Sequence, residues 1–314
     1  MKGLELGRKY YEAYGKKLLE EEFPELFPYI AVGLAGSGSE CMGYDDEVSH
    51  DHDFEPGFCI FLPEEDVIDR QGAFALERAY EKLPREFMGF CRSRFHAVGG
   101  NRHGVIRMGD FFEAKTGSRN GELSLQQWLT LPEQALLEAV NGEIFCDNYG
   151  QFSAVREKLS YYPEDIRRKK IAGFLLLMGQ SGQYNYPRCI ARGETAAAQL
   201  AVYEFANSAM QVLFLLEKRY MPYYKWRFRA LTEVCRQMPQ LPERFAFLLS
   251  TGNDADLVKK KTQILEEICD MVCQKLSEHG LTDITAWEME RQAYAVNDRI
   301  ADGHIRNLHI LCGV

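Results

Sequence analysis

Apolar residues recur along Lys2–Glu22 at Leu4, Tyr11, Leu18 and Leu19, the spacing of one face of a helix. Pro24 and Pro28 follow and end that run, because proline cannot continue a helix interior. At Ile30, Val32 and Leu34 the period drops to two, with small residues between, which predicts a short buried strand. Gly36-Ser37-Gly38-Ser39 comes next. Asp51–Phe54 reads as a second strand that resumes as Phe58–Leu62 after the Pro56-Gly57 interruption. Glu64–Lys82 reads as helix and Gly104–Gly109 as a third strand.

After Ser124 the pattern is helical nearly throughout. In Gly193–Arg219, Val202, Ala206, Ala209, Leu213 and Leu216 recur at steps of four and three, with Leu200, Tyr203, Met210 and Phe214 as a second stripe. Two stripes predict a helix buried over most of its surface. Pro222 opens another helix, and Asn253 or Asp254 caps a long one through Leu265, Ile268, Val272 and Leu276. The expected fold class is α+β: a small mixed sheet domain over residues 1–123, then an all-helical bundle over 124–314.

Composition adds limits. A chain of 314 residues accommodates two domains. The formal net charge of −9 argues against a general affinity for nucleic acid or an anionic membrane, so a nucleic-acid partner is not indicated by charge. Arg167, Arg168, Lys169 and Lys170 form the clearest basic run, read as a solvated helix face. The nine cysteines are odd in number, scattered and free of CxxC pairs, which argues against a zinc ribbon. With a charged, helical N-terminal stretch in place of a signal peptide, they lead to an expected cytoplasmic location. The apolar stretches Ile171–Met178 and Ala196–Leu216 read as buried helices rather than membrane spans.

The chemistry concentrates in Gly36–Glu40 and Asp51-His52-Asp53. In an extended strand Asp51 and Asp53 share a face, and His52 points to the other. Paired carboxylates repel unless a cation neutralises them, and Mg²⁺ binds through one or two carboxylates plus phosphate oxygens. Gly36 and Gly38 let the backbone approach a phosphate, Ser37 and Ser39 add hydroxyl donors, and a helix starting near Ser39 would favour the anion further.

On these residues the chain resembles the nucleotidyltransferase superfamily, of the DNA polymerase beta-like fold. Its signature is a Gly-Ser followed after a short interval by Asp-x-Asp. More closely, Gly36-Ser37-Gly38-Ser39-Glu40-Cys41, Gly43, Asp45-Asp46, Ser49 and Asp51-His52-Asp53 resemble a bacterial family of unknown function similar to antibiotic nucleotidyltransferases. Tyr220, Pro222, Lys225 and Trp226 resemble a second segment of that family. The resemblance implies transfer of a nucleoside monophosphate from a nucleoside triphosphate to a hydroxyl of an acceptor: a small molecule, a tRNA end or a protein. It assigns phosphate contact to Gly36, Ser37, Gly38, Ser39 and Lys225. Two Mg²⁺ ions fall to Asp51, Asp53 and a third carboxylate, for which Asp110 is the candidate and Glu113 the substitute.

The pattern leaves other readings. His50 and His52 around Asp51 suggest a metallohydrolase, but alternation turns them from the carboxylate face. Asp45 and Asp46 read as turn caps, Arg188 and Arg192 as phosphate contacts or surface ion pairs, Tyr220 and Trp226 as core, and Cys269 and Cys273 as buried thiols. Because the Gly104–Gly109 strand has no carboxylate at its centre, a nucleotide-binding or toxin–antitoxin-like protein with a degenerate site is the alternative to an enzyme.

Overall fold

Val32, Ile60 and Leu62 on one side and Ala31, Cys59 and Phe61 on the other are all buried, so the two central strands are covered on both faces. In the computed structural model, which describes residues 1–51, 54–92 and 103–314 apart from the side chains of His50 and Asp51, they belong to a four-stranded sheet. The strands are β1 (Ala31–Leu34), β2 (Cys59–Leu62), β5 (Gly104–Arg107) and β6 (Glu143–Asp147), in the order β5-β2-β1-β6. A small hairpin is made of β3 (Glu86–Phe87) and β4 (Phe90–Cys91). β1 is antiparallel to both neighbours, with Gly33 opposite Cys59 and Leu34 opposite Glu143. β5 runs parallel to β2, with Cys59 opposite Gly104 and Leu62 opposite Arg107.

The chain forms two compact units: Met1–Ser124 with Leu131–Ser160, and Leu125–Thr130 with Tyr161–Val314. The division expected at 123/124 therefore moves. Residues 131–160 belong with the sheet, because β6 pairs along the whole of β1. The reading of nearly everything after Ser124 as helix did not include β6. Its signal is short: Ile144, Phe145 and Cys146 between the turn residues Asn141-Gly142 and Asp147-Asn148.

Within the first unit, one sheet face is covered by the N-terminal helix and the helix Arg70–Glu81. Tyr10, Tyr11 and Leu19 meet Ile60, Leu76 and Tyr80 there. The N-terminal helix is continuous as expected, but a π-turn over Tyr11–Gly15 joins Gly3–Tyr10 to Lys16–Glu22. The helix Arg70–Glu81 starts where Asp69 accepts the Gly72 N–H at 2.8 Å. On the other face Phe61 lies 4.2 Å from the Phe152 ring and 5.1 Å from Phe111.

The second unit is helical, built on Glu164–Met178 and Thr195–Leu216 with Ala255–Glu278 and Met289–Asp298 around them. Thr195–Leu216 is buried over most of its surface from Phe205 onward as the two stripes predict, but Leu200 and Tyr203 nearer its start are exposed. No helix is long and apolar enough to cross a membrane among the described residues.

The basic run departs from the expected solvated face. Arg167, Lys169 and Lys170 are buried. Lys169 Nζ donates to Asn297 Oδ1 at 2.9 Å and to the carbonyls of Leu308 at 2.6 Å and Arg306 at 3.3 Å. Lys170 Nζ donates to the carbonyls of Gly313 at 2.6 Å and Leu129 at 3.2 Å. The helix turns these ammonium groups inward because the C-terminal segment leaves carbonyls that need donors. Arg188 stacks over Tyr184 at 4.3 Å. Tyr220 and Trp226 are core, as read from sequence.

The thiols divide sharply. Burial pushes Cys59 and Cys235 up to about 12 and raises Cys269 as well, whereas Cys91 is exposed. A thiol-reactive disulfide reagent at pH 8 is expected to label Cys91 at least about a hundredfold faster than these three, because only accessible thiolate reacts. Peptide mapping of the labelled chain checks this, and fast labelling of Cys59 in the folded chain would contradict the packing of β2.

Candidate functional site

The direction of each strand decides which residues share an end of the sheet. β1 ends at Leu34 and runs into Gly36–Ser39. β2 is antiparallel to it, so the segment entering β2, including Phe54–Phe58, lies at the same end. β5 is parallel to β2 and β6 antiparallel to β1, which brings His103, Asn141 and Gly142 to that end too.

The Gly36–Ser39 turn has φ of +110° at Gly36 and +124° at Gly38, conformations that exclude most side chains. Asn141 grips the turn as a strand neighbour would. Its Oδ1 accepts the Gly36 N–H at 2.8 Å and its Nδ2 donates to the Gly36 carbonyl at 2.7 Å. Gly142, at φ +72°, donates to the Cys41 carbonyl at 2.8 Å, and a Cβ there would stand 2.1 Å from the Leu34 carbonyl oxygen. Ser37 is exposed and Ser39 half-buried. Among the described residues, the backbone N–H groups of Ser37, Gly38 and Ser39 have no protein acceptor.

Beyond the turn, the helix expected near Ser39 is a series of tight turns instead. Met42 donates to the Ser39 carbonyl at 3.2 Å and Tyr44 to the same carbonyl at 2.9 Å. Asp45 is buried, and its Oδ2 accepts the Gly3 N–H at 2.8 Å, placing a carboxylate at the start of the helix Gly3–Tyr10. Asp46 Oδ1 accepts from Ser49 N and Oγ, each at 3.2 Å. Both are caps, as read from sequence, although Asp45 caps a distant helix rather than a turn.

Asp51 closes a short 3-10 helix, Glu47–Asp51, where an extended strand was expected. The alternation that put Asp51 and Asp53 on one strand face therefore does not begin at Asp51. Ser49 and Asp46 tighten the chain into a turn there, and the ladder starts only at Cys59. His52 and Asp53 lie outside the described residues, as does the Asp51 side chain. Among the described residues no group of three His, Cys, Asp or Glu side chains is arranged to hold a metal ion.

Asp110, the candidate third carboxylate, lies beside Arg119. It follows the C-terminal end of β5, while Asp51 precedes the N-terminal end of the parallel strand β2, so the two occupy opposite ends of that pair. Three residue steps, about 10 Å, separate those ends along the strands. Asp110 accepts from Arg119 at 2.6 Å, and Glu113 and Glu64 each from the same guanidinium at 2.8 Å. These three carboxylates raise the Arg119 pKa, with Glu64 first. The sequence showed Asp110 beside a strand but not that strand's direction. An open depression of about 400 Å³ lies on this far end, lined by Arg70, Phe74, Arg107 and Asp110. Arg107 there is engaged with the Pro63 and Ile68 carbonyls, both at 2.7 Å.

At the turn end, residues that the pattern did not single out come together. His103 Nδ1 and Glu55 Oε1 are 3.2 Å apart, both side chains nearly buried. Lys115, in the last turn of the helix Met108–Thr116, pairs with Glu138 at 2.9 Å. Asn141-Gly142 carried a turn signal, whereas nothing along the chain marked Lys115, Glu138 or His103. Lys225 belongs to the second unit. It is exposed, with its ammonium 4.9 Å from the Trp226 ring, which Arg229 approaches at 4.8 Å.

Residues 128–227 match a family described as "Domain of unknown function (DUF4037)". No curated protein and no solved structure matches the chain. Over that stretch, about a third of its length, the chain is similar to a family of unknown function, and the stretch includes Asn141, Gly142 and Lys225.

Proposed function

We propose that the protein is a Mg²⁺-dependent nucleotidyltransferase that moves a nucleoside monophosphate from a nucleoside triphosphate to an acceptor hydroxyl. The observation that carries this reading is the meeting of two elements at one end of the sheet. The Gly36–Ser39 turn leaves β1 where the Asp51-bearing segment leads into the antiparallel strand β2. Open N–H donors at a positive-φ turn suit phosphate oxygens, and the paired acids Asp51 and Asp53 on the segment that leads to β2 suit a hard cation.

On this reading Ser37 and Ser39 hold the phosphate chain, and Asp51 and Asp53 provide the oxygen ligands. Bound Mg²⁺ supplies charge neutralisation at the α-phosphate and lowers the cost of ionising the acceptor. The acceptor hydroxyl gives its proton to solvent as its oxygen bonds to the α-phosphorus, the bond to the bridging oxygen breaks, and pyrophosphate leaves. Asp110 has no part in it. Its position at the far end motivates the second reading, a nucleotide-binding protein that lacks a complete catalytic set.

Incubation with Mg²⁺ and each labelled nucleoside triphosphate, with pyrophosphate detection across hydroxyl acceptors and cell extract, decides between them. Metal-dependent pyrophosphate release is the expected outcome. Tight nucleotide binding with no release for any acceptor selects the second reading, and no nucleotide binding removes both.

A further inference from the structure

The helix Met108–Thr116 leaves the far end of β5 and returns along the sheet, so its last turn reaches the end where Gly36 lies. Lys115 sits in that last turn with only 15% of its side chain exposed. A methyl group built on Gly36 would stand 3.5 Å from Lys115 Cε and 3.6 Å from Nζ. The ammonium is therefore directly beside the turn. It is held in place by Glu138 at 2.9 Å and by the Phe111 ring at 5.2 Å. Glu138 is itself steadied by the Gln134 amide at 3.1 Å.

At Gly38 the neighbouring side chain is an acid. A methyl on Gly38 would meet the Glu40 carboxylate at 2.2 Å from Oε1. One turn thus has Lys115 beside Gly36 and Glu40 beside Gly38, and its Ser37, Gly38 and Ser39 N–H groups have no acceptor among the described residues. An oxyanion at this turn is drawn to the Gly36 side, where the Lys115 ammonium stands.

We propose that Lys115 is the anion-receiving residue of this turn and that its ligand is a polyphosphate chain, taken with Glu138 acting as the exchangeable counter-ion. This rests on reading the Gly36–Ser39 turn as a phosphate cradle. It assigns the terminal phosphates to Lys115 and leaves the Glu40 side to the metal-facing part of the ligand. The pair with Glu138 keeps the ammonium oriented before the ligand arrives, so little side-chain entropy is lost on binding.

The test titrates inorganic tripolyphosphate into the full chain by calorimetry in metal-free buffer. Wild-type protein is expected to bind. Lys115→Met should weaken binding at least about tenfold, the effect of losing one charge-assisted contact. Lys115→Arg should stay within a few-fold of wild type, and Glu138→Gln should tighten binding, because it removes the competing carboxylate. A purely structural ion pair predicts no such tightening. Since Lys115→Met strands the partly buried Glu138 carboxylate, the Lys115→Met/Glu138→Gln double variant guards against misfolding and should bind as weakly as the single one. Wild-type protein that ignores tripolyphosphate, or a folded double variant that binds as tightly as wild type, overturns the assignment. The outcome is separable from the enzymatic reading: metal-free tripolyphosphate binding through Lys115 survives even if pyrophosphate is never released, and release can occur without it.

Discussion

Replacing Asp51 and Asp53 together with Asn is expected to abolish Mg²⁺-dependent binding of nucleoside triphosphate and to lower any turnover by about a thousandfold or more, the scale of losing the carboxylates that seat a catalytic metal. An amide is the same size as a carboxylate but carries no charge, so the substitution removes the cation's partners while keeping shape. The tight turn before Asp51 rests on Asp46 and Ser49, which the variant leaves intact. The melting temperature should therefore change little. Isothermal titration with and without Mg²⁺, followed by the pyrophosphate assay, measures the effect. Unchanged metal-dependent affinity would remove these two residues from the site. Loss of affinity together with a collapsed melting curve would instead assign them to folding.

Lys169→Met is expected to cost the second unit about 2–4 kcal/mol, roughly 5–15 °C in melting temperature. The Lys169 side chain is fully buried, and its ammonium is the donor for Asn297 Oδ1, the Leu308 carbonyl and the Arg306 carbonyl. Methionine fills the space but donates nothing, so Asn297 Oδ1 and the Leu308 carbonyl lose this donor without water to replace it, while the Arg306 carbonyl keeps the Asn297 amide at 3.3 Å. Part of that loss is offset, because the wild-type chain bears the cost of burying a charge. Burial lowers the Lys169 pKa below the usual lysine range. A lowered pKa in the folded state adds stability above the unfolded-chain value and loses it as pH falls through the folded value. Wild-type protein should accordingly gain stability as pH rises into the alkaline range, and the variant should lack that part of the slope. Denaturant titrations at neutral and alkaline pH check both points. A variant as stable as wild type would mean that the C-terminal carbonyls find other donors.

Both expectations turn on side chains whose roles were read very differently along the chain. Asp51 and Asp53 stood out in the sequence because two acids at alternate positions near a glycine-serine run form a local pattern. The basic run was equally visible, yet its reading as a solvated face failed. Nothing local distinguishes a lysine that faces water from one that reaches the C-terminal carbonyls across more than a hundred residues of chain. The place of Asp110 was hidden for a related reason. Its neighbourhood in the chain is a strand end, and whether that end lies beside or away from Asp51 depends on strand direction.

What the sequence by itself determined is the local grammar. The N-terminal helix, the strands at Ala31–Leu34, Cys59–Leu62 and Gly104–Arg107, the helical second half and the glycine turn all follow from periodicity and turn chemistry over short windows. The tertiary structure alone decided which ends meet. The parallel pairing of β5 with β2 carries Asp110 away, and β6, arriving from residue 143, pairs along β1 so that Asn141 closes on Gly36. It also brings Lys115 to the turn on a returning helix. The physical reason is that backbone pairing and ion pairing between distant residues depend on direction and register in space, and a pattern read over a dozen residues contains neither.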